Sequence, residues 1–178
     1  MLNEVLNFWF NELSPAQWFS KDEQLDKQIN QRFREVLLAA KRGELSEWRN
    51  SHLGRLAEII VLDQFSRNIF RDTAQAFEQD ALALVLAQEA IFNKADKAMT
   101  DQQKSFLYMP FMHSESKLIH EQAVRLFSQP GLEYNLEFEL KHKVIIDRFG
   151  RYPHRNKILK RDSTPEELAF IQEPNSSF

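Results

Sequence analysis

The sequence contains no cysteine. That excludes disulfides, thiolate metal sites and cysteine nucleophiles together, and it fits a reducing compartment. Glycine occurs only four times and proline six times in 178 residues, and the stretch 55–109 has neither. A segment that long without a backbone breaker reads as helices joined by short polar turns. No apolar run approaches the roughly 18 residues of a membrane span. The opening MLNEVLNFWF lacks the basic start and apolar stretch of a secretory signal. A cytoplasmic protein with no membrane partner is therefore expected. Positive charge is not in excess: 23 Lys and Arg stand against 26 Asp and Glu, for a net charge of −3. That balance argues against a general nucleic-acid coat.

What is abundant is phenylalanine, with 15 copies, so the core should be aromatic. A chain of this length buries roughly 70% of its unfolded surface, enough for one domain spanning residues 1–178. Hydrophobic spacing predicts an all-α fold. A short aromatic helix covers 2–11, and a second runs from Asp22 to about Ala40 with Ile29, Phe33, Val36 and Leu37 on one face. Gly43 is placed to stop it. Segments 52–70 and 74–94 read as a helical hairpin broken near Asp72-Thr73. A helix over 101–109 should end or kink at Pro110, which has no backbone donor. Further helices are predicted over 114–128, stopped by Pro130-Gly131, and over 134–149, stopped by Gly150. After a loop, Thr164, Pro165 and Glu167 form a helix start with a capping box. Helices of this length with short turns suggest antiparallel hairpins in a bundle or short solenoid. Residues 33–48 and 77–92 look faintly alike, but no clean 34-residue repeat can be traced.

Three polar clusters carry chemistry that a plain scaffold does not need. In LDQFSRNIFRD, Asp63, Arg67 and Arg71 share one helix face at i, i+4, i+8. Asp63 can pair with Arg67 and leave Arg71 free for a ligand. The cluster is either a surface ion-pair stripe or a buried polar face, since Ile59, Ile60, Phe65, Ile69 and Phe70 crowd it. In YMPFMHSES, the proline break would set His113 and Glu115 at a helix N-terminus with Ser114 as cap, a position that attracts anions. Simple capping with a core histidine explains the same residues. The third cluster begins at His142, which shares an apolar face with Phe138, Ile145 and Phe149. It continues through 148–161, where Arg148, Arg151, Arg155, Lys157, Lys160 and Arg161 occur without an acid. That leaves 17 of the 23 bases for the rest of the chain, against all 26 acids. Arginine forks suit carboxylate or phosphate, although the same arginines could tie helix ends and acidic neighbours together.

In this order and at these separations, LDQFSRNIFRD, YMPFMHSES and RFGRYPHRN resemble the signatures of an uncharacterised bacterial family catalogued as domain of unknown function 924. The pairs Trp9-Phe10 and Trp18-Phe19 and the late STPEE match as well, so the resemblance covers nearly the whole chain. It implies an all-helical, tetratricopeptide-like fold and no activity. The family motifs fall on Asp63, Gln64, Arg67, Asn68, Arg71, His113, Glu115, His142, Arg148, Gly150, Arg151, His154, Arg155 and Asn156. One departure is KILKRDST, where a glycine would precede the arginine.

Other motifs fail. His120-Glu121 lacks the second histidine of a zinc-protease helix. Glu139-x-x-His142 is a single copy of a unit that di-iron bundles need twice. There is no Walker loop, dinucleotide fingerprint or nucleophile elbow. No metal or cofactor is expected, although His113, Glu115 and His142 are types that could ligate one. The reading that unites the clusters is a single net-basic pocket for a small anionic ligand or a peptide carboxylate. It would be lined by Asp63, Arg67, Asn68, Arg71, His113, Glu115, His142, Arg148, Arg151, His154, Arg155 and Asn156. A binding module, a hydrolase-like enzyme using His113 or His142 as acid or base, and RNA binding through 148–161 with Tyr152 compete for it. A purely structural network is the fourth reading.

Overall fold

The computed structural model describes residues 1–174 and Ser176, and among these no strand occurs. Helix α1 (Leu2–Asn7) runs into a π turn at Phe8–Glu12, and α2 is Pro15–Trp18. Helix α3 spans Glu23–Lys41. Asp22 caps it, its Oδ1 accepting from Gln24 N at 2.8 Å and Leu25 N at 3.2 Å. Leu25, Ile29, Phe33, Val36, Leu37 and Ala40 are its buried face. The helix ends as expected: Gly43 takes φ 72°, and Glu44 N and Gly43 N bond back to Ala39 O and Ala40 O.

Helix α4 (His52–Ile60) passes through a π turn at Val61–Phe65 directly into α5 (Ser66–Ile69). Every residue from Leu56 to Ser66 is buried. A helix covered on all sides is the centre of a fold, and α3, α6 and α7 pack around this one. The wider π turn lies over Asp63 and Gln64, so the first polar cluster faces inward. Near its start, Gly54 has no room for a side chain, since a Cβ would lie 1.9 Å from Trp48 O. The break after α5 falls where expected, with Asp72 left-handed at φ 61°. A short 3-10 turn (Ala74–Phe77) then precedes α6 (Asp80–Phe92).

Helix α7 departs from expectation. It spans Asp101–Met112 with Pro110 inside it. An interior proline costs about 3 kcal/mol, but Ser105 through Met112 are all buried. Each large apolar side chain contributes about 1.5–3 kcal/mol on burial, so packing outweighs the missing bond. His113 is consequently the C-cap of α7. The next helix, α8, begins only at Lys117 and ends at Phe127, with Ser116 at its N-cap. Neither Ser114 nor a helix N-terminus serves His113, which corrects the expected anion site.

Helix α9 (Glu133–Phe149) ends at left-handed Gly150. A 3-10 turn (Pro153–Arg155) and α10 (Pro165–Phe170) are the last elements among the described residues. The predicted capping box is present, with Glu167 N donating to Thr164 Oγ1 at 3.2 Å and Thr164 N to Glu167 Oε2 at 2.8 Å. The large core is aromatic as expected: Phe8, Phe33 and Phe65 meet with centroids 4.9–6.2 Å apart. A smaller cluster joins Ile145 and Ile146 of α9 to Tyr152 and Phe170. Among the described residues no helix is long and apolar enough to cross a membrane.

Candidate functional site

Where the two clusters adjoin, a cavity of about 450 Å³ opens. Met109 and Met112 line it from the large core and Tyr152 from the small one. Trp18, Phe19, Phe77, Tyr134 and Phe138 supply aromatic walls. Tyr134 and Phe19 are largely exposed. Of the twelve residues expected to form a pocket, Arg67, Asn68, Arg71, His113, His142, His154 and Arg155 line this cavity.

Behind it lies a charge network built on the π turn. Asp63 is fully buried. Its Oδ1 receives Arg67 Nη1 at 3.0 Å and His113 Nδ1 at 2.7 Å, and its Oδ2 receives Gln64 Nε2 at 2.5 Å. Arg67 also forks onto Asp80, at 2.8 and 3.0 Å. Arg155 Nη1 reaches Asp80 Oδ2 at 3.1 Å and its Nη2 reaches His113 O at 3.1 Å. The Arg155 guanidinium lies 4.5 Å from the Phe77 ring centroid and 4.6 Å from that of Tyr152. It is 6% exposed, yet its Nε is buried without a hydrogen-bond partner among the described residues.

Burial alone would push the Asp63 carboxyl up. The charges of His113 and Arg67, with hydrogen bonds from His113 and Gln64, instead hold it well below the usual carboxylate range. Burial and the Arg67 charge push His113 down, against the pull of Asp63. His113 is charged only where it titrates, below its ordinary range, so near neutral pH the pair consists of an ionised Asp63 and a neutral His113. Its Nδ1–H donates to the carboxylate, and Nε2 carries the lone pair. His142, on the same cavity, donates Nδ1–H to Phe138 O at 2.8 Å, and burial lowers it to about 3. Burial lowers His154 to about 4.

Several expectations need correction. Arg71 is not free: its Nε and Nη2 bind Asp26 at 2.5 and 2.7 Å, and Asn68 Nδ2 joins at 2.8 Å. The cavity is not net-basic, because Asp26, Asp63 and Asp80 match Arg71, Arg67 and Arg155. Glu115, Arg148, Arg151 and Asn156 do not line it and instead lash the C-terminal segment down. Glu115 accepts from Arg161 at 2.6 and 2.9 Å and from Tyr152 N at 2.8 Å. Asn156 accepts from Arg161 Nε at 2.9 Å and donates to Ser163 Oγ at 3.0 Å. Arg151 forks onto Glu167 at 2.6 and 2.8 Å, and Arg148 meets Glu166 at 2.8 Å. Hydrogen bonds, first from Arg151, lower Glu167 to about 2. The basic run thus has its acids on α10, on α6 and at position 115, beyond the reach of a local reading.

His113, Glu115 and His142 are not assembled as ligands, since each is committed to a different partner. No group of three or more His, Asp or Glu among the described residues is placed to hold a metal ion. Two residues weighed only as failed metal motifs do meet: His120 Nδ1 and Glu139 Oε1 lie 2.7 Å apart, both fully buried. Sequence reasoning missed Asp26 and Asp80, which complete the network, and Trp18, Phe77 and Met109 as cavity walls. A single chain shows no local signal for pairings 45 and 75 residues apart.

Comparison with known proteins agrees with this architecture. A solved structure of a protein of unknown function from Agrobacterium tumefaciens superposes with a TM-score of 0.91, at 38% sequence identity, covering 96% of each chain. No curated protein matches the chain significantly. The family pattern described as "Bacterial protein of unknown function (DUF924)" matches residues 5–175. The chain belongs to that family.

Proposed function

We propose that the cavity binds a small organic molecule with an aromatic or branched apolar body and one carbonyl or carboxylate oxygen. The observation that carries this reading is Arg155. Arg155 borders the cavity with its guanidinium against the Phe77 and Tyr152 rings, and its charge would attract an acceptor oxygen on a ligand. Charge compensation narrows the ligand. Three arginines matched by three aspartates, beside neutral histidines, offer donors rather than net positive charge. A multiply charged phosphate would enter uncompensated, a single carboxylate carries less of that cost, and a carbonyl carries none. The aromatic walls and the two methionines suit an apolar body.

RNA binding draws less support. Arg148, Arg151, Arg155 and Arg161 each hold a carboxylate, so the segment 148–161 is largely neutralised in place.

Thermal unfolding with phenylacetate, phenylacetone and acetate tests the binding reading. At 100 times Kd a ligand stabilises by about 2.7 kcal/mol. For a chain of this size that is a rise of roughly 5–10 °C. Phenylacetate or phenylacetone should produce it and acetate should not. Tyr134→Ala, at an exposed position that should leave the fold intact, should shrink the rise. No shift of the wild type by either aromatic probe contradicts the reading.

A further inference from the structure

We propose that His113 is a general base in this cavity, removing the proton next to a carbonyl while Arg155 stabilises the enolate oxygen. The inference rests on the binding reading above and adds an activity to it. It starts from the direction in which the His113 ring is fixed. Nδ1 is held by a fully buried carboxylate at 2.7 Å, which sets the tautomer and leaves the lone pair on Nε2. That nitrogen has no hydrogen-bond partner among the described residues, and His113 borders the cavity beside His142. Asp63 cannot turn away, because Arg67 and Gln64 hold both of its oxygens. An oriented, neutral imidazole backed by an ionised carboxylate is a proton acceptor.

The donor is close to the base. Arg155 Nη2 bonds His113 O at 3.1 Å, and both residues line the cavity, so the Arg155 charge lies beside the base. Among the described residues no serine or threonine hydroxyl hydrogen-bonds His113, and the chain has no cysteine. The arrangement therefore favours proton transfer over attack by a side-chain nucleophile. In the step, Nε2 bonds to the α-proton, the C–H pair becomes the carbon–carbon π bond, and the carbonyl π pair moves to oxygen opposite Arg155. The imidazolium then exchanges its Nε2 proton with solvent, and return of a proton to carbon regenerates both ketone and free imidazole. In heavy water the net change is C–H replaced by C–D, and no further reactant is required.

Proton NMR of phenylacetone in heavy water, with the full chain present, follows loss of the α-proton signal, while saturation transfer in the same samples reports binding. The wild type should accelerate exchange by about 10²-fold or more over buffer. His113→Gln, whose amide can still donate to Asp63, should bind the probe and exchange at the background rate. Asp63 acts as a positioning residue, so Asp63→Asn, whose amide oxygen can still accept from Nδ1 but carries no charge, should shift the His113 nitrogen signals and slow the exchange while binding persists. Should His113→Gln fail to fold, carbethoxylation of His113 in the wild type replaces it: exchange that survives full modification overturns the proposal. Binding without exchange also overturns it and leaves the binding reading standing. Exchange that persists in a folded His113→Gln variant overturns the role of His113. Absence of binding overturns both readings.

Discussion

Stability is expected to fall steeply as pH drops from 6.5 towards 4. His142 and His154 are neutral in the fold because burial lowers them from 6.5 to about 3 and about 4. The unfolded chain binds these protons and the folded chain does not. The contribution is therefore complete above 6.5 and is lost as pH falls towards the folded values. Each such histidine gives a slope of about 1.4 kcal/mol per pH unit. His113 acts in the same direction, because burial and Arg67 lower it. Glu139 acts in the opposite direction, because burial raises it, and it offsets part of the loss. Allowing for partial exposure of His154, about 3–5 kcal/mol should be gone by pH 4.5. Domains of this kind hold about 5–15 kcal/mol in total, so unfolding should set in near that pH. Urea titrations in half-unit pH steps measure the slope. His142→Gln should reduce it by about 1.4 kcal/mol per unit. A flat profile between 6.5 and 4.5 contradicts the buried neutral histidines.

Asp63→Ala should destabilise the protein by about 3–5 kcal/mol, as breaking one partner out of a buried ion pair does. Asp63 is fully buried and gathers Arg67, His113 and Gln64. Its loss leaves Arg67 with Asp80 and the main-chain oxygen of residue 63, strands the His113 Nδ1 donor and leaves Gln64 Nε2 with only the Met109 sulfur. Arg148→Ala provides the contrast. Its carboxylate partner Glu166 is exposed and so is Arg148 itself, and such a pair contributes under about 1 kcal/mol. Both sit in family motifs or beside them, so sequence alone ranks them equally and only burial separates them. Equal costs for the two variants, measured by chemical unfolding, would mean that the Asp63 network is solvated.

Helix existence was legible from spacing and from caps. Asp22, Gly43, Gly150 and Thr164 mark ends in the sequence that are ends in the fold. These are local signals, each depending on a few residues. Pro110 misled for the same reason: a local rule says stop, but burial of the surrounding turns decides otherwise. The inward turn of LDQFSRNIFRD was half legible. The flanking apolar residues pointed to burial, but the π turn beneath it has no recognisable sequence mark.

The candidate site was legible as a list and not as an arrangement. Seven of the twelve expected residues share a cavity, because the motifs bring donors and imidazoles to elements that pack together. Composition hid the compensation. Reading 148–161 as a basic run was correct for the segment and wrong for its surroundings, since Asp80, Glu115, Glu166 and Glu167 arrive from elsewhere. The aromatic walls were hidden differently. Fifteen phenylalanines predict an aromatic core, but spacing cannot say which rings face a void.

The ring of His113 is where the structure commits itself most. Long-range proton–nitrogen correlation spectra near neutral pH read its protonation directly. The expected result is a neutral ring with the proton on Nδ1 and a bare Nε2. An imidazolium, or a neutral ring protonated on Nε2, would contradict the orientation on which the proposed chemistry depends.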